Sequence, residues 1–193
     1  MYSRSLVSPQ TSLCAKWKIL NDNPIRSSKG LFLDRDGVVI VDHGYVNTLS
    51  KTNLVEETVK IMRIANQNDI PISIITNQAG VAHGLFSERD LIEYNLNLLK
   101  MLKLEEDVEV NGLYYCPSHP NGEEEFYRRS CDCRKPMTGL FVESVIDTGV
   151  TLTHSMFIGD KESDKESARR LGMRYLMYPN SNPVDATIMW LNS

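Results

Sequence analysis

Two carboxylates stand two residues apart in Asp34-Arg35-Asp36-Gly37, directly after the apolar run Gly30-Leu31-Phe32-Leu33. Asp and Gly also favour plain turns, so this pair alone leaves a turn reading open. Three later segments carry complementary groups: Thr76-Asn77-Gln78, Arg134-Lys135-Pro136 and Gly159-Asp160-Lys161. Carboxylates, a hydroxyl and an ammonium in this order fit phosphoryl transfer. A hard divalent cation such as Mg²⁺ takes carboxylate oxygens and shares its shell with phosphate. Asp34 and Asp160 can supply those oxygens. The Thr76 hydroxyl and backbone N–H groups near Asn77 can donate to a phosphoryl oxygen. Lys135 can balance the charge that builds up on the transferring group.

A second set is sulfur-rich. Cys116, Cys131 and Cys133 lie within 18 residues, with His119 among them. Incidental free thiols are one reading. In a reducing compartment a thiolate–imidazole zinc set is the stronger one. Cys14 stands apart and carries no argument.

The elements that must position these groups follow from apolar spacing. Short continuous apolar runs at 30–33 and 71–75 predict buried strands, and 112–115, 156–158 and 174–178 read as three further strands. Helical spacing predicts helices over 56–68, from a Ser87 cap to about Lys103 with Leu91, Tyr94, Leu98 and Leu102 on one face, and over 138–148 with Gly149 at its end. Ser163 and Glu166 read as a capping box for a helix stopping at Gly172. Alternating strands and helices predict an α/β fold with a central parallel sheet. Asp34, Thr76 and Asp160 each follow a strand, so they gather outside the C-terminal edge, where open parallel sheets bind ligands. Residues 1–29 show no periodicity and read as an N-terminal extension, with one domain over 30–193.

The chain's 193 residues bury a real core without staples. With 21 basic and 25 acidic residues the formal net charge is −4, which argues against nucleic-acid or anionic-membrane partners. No apolar stretch approaches about 18 residues and no signal-like segment opens the chain, so a cytoplasmic protein is expected.

The four-part order resembles the haloacid dehalogenase-like phosphatase superfamily over about Gly30 to Tyr178. The resemblance implies a Rossmann-like three-layer sandwich with a minimal cap and a zinc-binding loop. It makes Asp34 the nucleophile, forming an aspartyl-phosphate. Asp36 is then the general acid and base, and its backbone carbonyl joins Asp34 and Asp160 on Mg²⁺. Thr76 and Lys135 complete the catalytic set. Arg35 is read as a structural residue. Within the superfamily the cysteine loop resembles the histidinol-phosphate phosphatase branch. The long loop and Asp42-His43-Gly44-Tyr45-Val46 resemble the D-glycero-D-manno-heptose 1,7-bisphosphate phosphatase family within it. The resemblance implies substrate contacts at Asp42, His43, Gly44, Tyr45, Asn77, Gln78, Ala79, Arg134 and Lys161, and His83 stands where the family often has Arg. It also implies a structural zinc on Cys116, Cys131, Cys133 and an imidazole. The family reads Cys-x-His at this loop; here Ser118 holds that place and His119 follows, so His119 is taken as the ligand, the alternative being three thiolates and a water. Asp164 is read as holding a metal-bound water or orienting Lys161, or as part of a solvated helix start.

The expected activity is Mg²⁺-dependent removal of the 7-phosphate from heptose bisphosphate by a monomer acting on a small sugar phosphate. Histidinol phosphate or another small phosphate ester is the alternative substrate. A zinc-stabilised module without catalysis, or one that processes nucleic-acid ends, is disfavoured by the charge and by the intact Asp34, Asp36, Lys135 and Asp160.

Overall fold

The computed structural model describes residues 2–4, 18–21, 27–42, 44, 53–179 and 182–193. Seven strands form one sheet: β1 (Tyr2–Arg4), β2 (Lys18–Asn21), β3 (Leu31–Leu33), β4 (Ile72–Asn77), β5 (Gly112–Cys116), β6 (Met156–Gly159) and β7 (Arg174–Met177). Their order is β1-β2-β5-β4-β3-β6-β7. The five strands from β5 to β7 are parallel, because each crossover returns through a helix. Leu31, Leu33, Ile72, Ile74, Leu113 and Ile158 are fully buried, which is why these strands read as unbroken apolar runs.

Helices α1 (Glu56–Gln67), α2 (Ala79–Ala82), α3 (Glu88–Glu105), α4 (Gly139–Thr148), α5 (Glu162–Leu171) and α6 (Pro183–Leu191) complete a Rossmann-type α/β fold. α4 packs on β4 and β5, α5 on β6 and β7, and α1 on β4 and α6. α3 begins as its sequence predicts: Ser87 Oγ accepts from Asp90 N at 3.1 Å, and Asp90 reaches back to Ser87 N at 3.0 Å. α4 ends on Gly149 at φ 75°, in the left-handed region glycine favours.

Two expectations need correction, and one helix goes beyond them. Segments of the N-terminal stretch enter the sheet, as β1 and β2 pair antiparallel and β2 pairs with β5. Lys18 is buried there, 2.9 Å from Asp147 and 3.6 Å from Glu143, and Tyr114 donates to the same Asp147 at 3.0 Å. Four residues with one buried lysine carry too little pattern to be recognised as a strand. The cap of α5 is also different. The Asp164 carboxylate, not Ser163, accepts from Lys161 N at 3.1 Å, while Glu166 pairs outward with Arg169 and Arg170. Finally, α6 was not expected; it starts on Pro183, a favourable first helical residue.

The chain runs from β3 to β4 and β5 on one side, then to β6 and β7 on the other. The sheet's switch point therefore lies at the C-terminal end of β3, the place where such sheets open a crevice. Asp34 is the next residue.

Candidate active site

Asp34 is held by its backbone and by a lysine. Its N–H donates to Ile158 O at 2.9 Å, extending β3 beside β6. The Lys135 ammonium lies 2.8 Å from Asp34 and 2.7 Å from Asp164, with all three side chains buried. Lys135 Nζ also donates to Ile75 O at 2.9 Å. Lys135 comes from the loop before α4. Asn77, the last residue of β4, fixes it there: Asn77 Nδ2 donates to Lys135 O at 3.0 Å and Lys135 N donates to Asn77 Oδ1 at 2.9 Å.

Carboxylate oxygens of Asp34, Asp160 and Asp164 all lie within 4.8 Å of one another. Burial pushes the Asp34 carboxyl up, Asp164 and Asp36 push the same way, and Lys135 opposes them. Burial also raises Asp160. Asp160 Oδ1 is buried and has no hydrogen-bond partner among the described residues. Buried acceptors rarely stay unpaired without a missing ion or water. Three converging hard oxygens, one of them orphaned, fit a magnesium ion. Two glycines make room for these acids. A Cβ on Gly37, at φ 84°, would collide with the Asp160 carboxylate, and one on Gly159 would collide with that of Asp164.

Asp36 is arranged differently. Arg35 Nη2 donates to both its oxygens, at 2.8 and 3.0 Å, and Gln78 Nε2 donates at 2.7 Å. Burial works against its charge most strongly, but the Arg35 guanidinium, the Gln78 amide and Lys161 together hold the carboxyl below the usual range. Thr76 Oγ1 accepts from Gln78 Nε2 at 2.8 Å and lies 3.4 Å from Asp36. Beside Asp36 opens a cavity of about 320 Å³. Asp42, Gly44, Asn77, Gln78, Ala79 and Lys161, all read from the sequence as substrate contacts, line it. Asp42 lies 3.7 Å from Lys161, a half-exposed pair that screening makes weak. Burial opposes the charge on Lys161, yet Asp34, Asp160 and Asp42 raise its pKa.

Not every expected residue joins this site. His43 and Tyr45 lie outside the described residues, as does Cys14. Asn77 lines the cavity, but both ends of its amide bond the Lys135 backbone. Arg134 does not line the cavity; its Nη1 donates to Ser118 O at 3.4 Å in the cysteine loop. Asp164 is fully buried rather than solvated, and it holds Lys135.

The structure does not show the expected zinc set. Among the described residues the ligand atoms of Cys116, Cys131 and His119 form no converging group. The Cys116 thiol instead hydrogen-bonds Cys131, which lowers Cys131 to about 7. His119 stacks near His83, with ring centroids 4.9 Å apart, and its Nδ1 accepts from Asn121 N at 3.2 Å. The loop is pinned by protein groups: Glu88 accepts from Tyr115 at 2.9 Å and from Tyr127 at 2.8 Å.

Sequence reasoning missed the role of α3 in this site. Phe86, Asp90, Leu91 and Tyr94 form a wall of the cavity. Tyr94 fell on the apolar face of the predicted helix, and nothing in the spacing tells a core tyrosine from one lining a cleft.

A family model of HAD-hydrolase-like proteins matches residues 132–182. The chain is 33% identical over 149 residues to the D-glycero-β-D-manno-heptose-1,7-bisphosphate 7-phosphatase of Photorhabdus laumondii, covering 76% of this chain and 79% of that one. It is 35% identical over 143 residues to the enzyme of the same name from Escherichia coli O6:H1, covering 74% and 75%. Among solved structures, a HAD-like phosphatase from Mesorhizobium loti superposes with a TM-score of 0.81 at 26% identity, covering 91% of this chain and 92% of that one. The D,D-heptose 1,7-bisphosphate phosphatase from B. bronchiseptica, complexed with magnesium and phosphate, gives 0.66 at 26% identity, covering 83% and 86%. Identity above 30% along three quarters of the chain, on the fold and carboxylate arrangement just described, places this protein in the D-glycero-β-D-manno-heptose-1,7-bisphosphate 7-phosphatase family of HAD-like phosphoric monoester hydrolases.

Proposed function

We propose that this chain removes the 7-phosphate from D-glycero-D-manno-heptose 1,7-bisphosphate through an aspartyl-phosphate on Asp34. The observation that carries the reading is Asp34 itself, placed at the sheet's switch point between Lys135 and the Asp160–Asp164 pair. The relatives' names supply the substrate, and the B. bronchiseptica neighbour is described with magnesium and phosphate. Asp34, Asp160 and the backbone carbonyl of Asp36 would hold Mg²⁺, with Asp164 beside them. When bound, the ion supplies positive charge to the phosphoryl oxygens.

The chain's own residues account for the rest. An Asp34 oxygen attacks phosphorus as the ester P–O bond breaks, and the electron pair leaves with the sugar oxygen. Asp36, on the cavity side of Asp34, delivers a proton to that oxygen. Arg35 favours the charged form of Asp36, so loosening that contact is what lets Asp36 carry the proton. Water then attacks the phosphoaspartate, Asp36 takes its proton, and inorganic phosphate leaves with Asp34 regenerated. Lys135 and the Thr76 hydroxyl offset the growing charge on the phosphoryl group. No step uses zinc.

We read the protein as a monomeric cytoplasmic enzyme acting on a small sugar phosphate, without nucleic-acid or membrane partners; the net charge of −4 argues against the latter two. The test is phosphate release from both anomers of the heptose bisphosphate, histidinol phosphate and a 3′-phosphorylated oligonucleotide. The reading expects the heptose bisphosphate to have the highest kcat/KM. Preference for histidinol phosphate or the oligonucleotide would overturn the substrate, and full turnover by Asp34→Asn would overturn the intermediate.

A further inference from the structure

The cavity beside Asp36 has a wall that none of the phosphate chemistry explains. Tyr94 of α3 lines it, half-buried, next to Phe86, Leu91 and Ile40. The Arg35 guanidinium stands over the Tyr94 ring, 5.2 Å from its centroid. The same guanidinium clamps Asp36 through Nε at 3.1 Å and Nη2 at 2.8 Å. Its Nη1 donates to Asn95 Oδ1 at 2.8 Å. Asn95 is the residue after Tyr94 and is fully buried, and its Nδ2 has no partner among the described residues. A buried amide left half-paired costs stability that an apolar side chain would not, so its pull on Arg35 is the one polar use the packing gives it. One arginine thus ties the general acid and base to a tyrosine on the facing helix, and both are fixed before any ligand arrives.

The Tyr94 hydroxyl makes no hydrogen bond among the described residues. The wall is therefore mostly apolar carbon and aromatic face, with the Tyr94 hydroxyl and the Asp90 carboxylate, the latter bonded to Ser87, as its polar groups. Asn53, Gln78 and Asp42 add polar groups elsewhere on the lining. Apolar walls with a few placed polar groups are how pockets orient small ligands. A polyhydroxylated carbon chain suits this surface: its C–H groups lie against the ring, and its hydroxyls reach the phenol and the polar lining.

We infer that Tyr94, held in place by Arg35 and Asn95, is the subsite for the leaving group, contacting the sugar's carbon–hydroxyl chain beyond the transferred phosphate. The inference rests on the phosphatase reading and adds the residue that selects the alcohol. It requires no new chemical step, because Tyr94 binds and does not move a proton.

The experiment compares the Mg²⁺-loaded wild type with Tyr94→Phe and Tyr94→Ala on two substrates, heptose bisphosphate and acetyl phosphate, the second of which has no sugar. The readout is selectivity, the ratio of the two kcat/KM values. Loss of one hydrogen bond should lower that ratio about 3- to 10-fold in Tyr94→Phe. Removing the ring as well should lower it further in Tyr94→Ala, with KM for the sugar substrate carrying the change. An unmoved ratio in Tyr94→Phe would overturn the inference even where Tyr94→Ala fails to fold. A wild type that hydrolyses acetyl phosphate and no sugar phosphate would instead overturn the proposed function, and the subsite with it.

Discussion

The Lys135 ammonium lies 2.8 Å from the Asp34 carboxylate, although a hundred residues of chain separate the two. Lys135 also holds Asp164 at 2.7 Å, so one cation serves two buried acids. Neither acid is tolerable in the interior alone, because desolvating an unpaired carboxylate costs several kcal/mol. The same contact that makes the site foldable places positive charge where a phosphoryl group would sit.

Lys135→Met should therefore fail twice over. Two buried carboxylates lose their partner, so denaturant unfolding should show a loss of about 3–5 kcal/mol. Turnover should fall by roughly 10²–10³ through lost charge stabilisation. Near-wild-type values in both measurements would mean Lys135 is not the shared cation.

Asn77 binds the Lys135 backbone from both sides of its amide. Asn77→Ala removes two hydrogen bonds, worth about 1–3 kcal/mol together. Because the lysine is displaced rather than deleted, kcat should fall while KM for the sugar phosphate stays within about threefold. A pure KM effect would show that Asn77 touches substrate instead.

Asp34 offers a pH test. Its carboxyl is pushed from an ordinary 3.8 to about 7, chiefly by burial. A folded pKa above the unfolded one means the fold favours the protonated form. That stabilisation is complete below about 3.8 and is lost as pH rises through about 7. In metal-free protein, wild type should lose thermal stability relative to Asp34→Asn across that window. Mg²⁺ added above about pH 7 should restore wild type more than the variant. Parallel melting curves at every pH would refute the shift.

Chelation should separate the two expected metals. EDTA should abolish phosphate release, and Mg²⁺ alone should restore it, because Asp34, Asp160 and Asp164 offer only oxygen ligands. Recovery that needs zinc would show that the cysteine loop, here without a converging ligand set, assembles around that ion after all.

The sequence by itself determined the parallel strands, the acids that follow them and the convergence of those acids at one edge. Buried parallel strands are unbroken apolar runs, and Asp34, Thr76 and Asp160 each mark where such a run stops. The helix caps at Ser87 and Gly149 were legible for a similar reason, since local hydrogen bonding and backbone conformation decide them. What only the tertiary structure decided depends on contacts between distant segments. The antiparallel strands at 2–4 and 18–21 are short and polar in part, and pairing with β5 makes the second a strand. Asp164 looked like an ordinary helix-start acid until Lys135 closed over it. Tyr94 looked like core until the cavity opened beside it. The cysteine loop has zinc-like spacing, but coordination needs four ligand atoms at one point, and spacing along the chain alone does not establish that they meet.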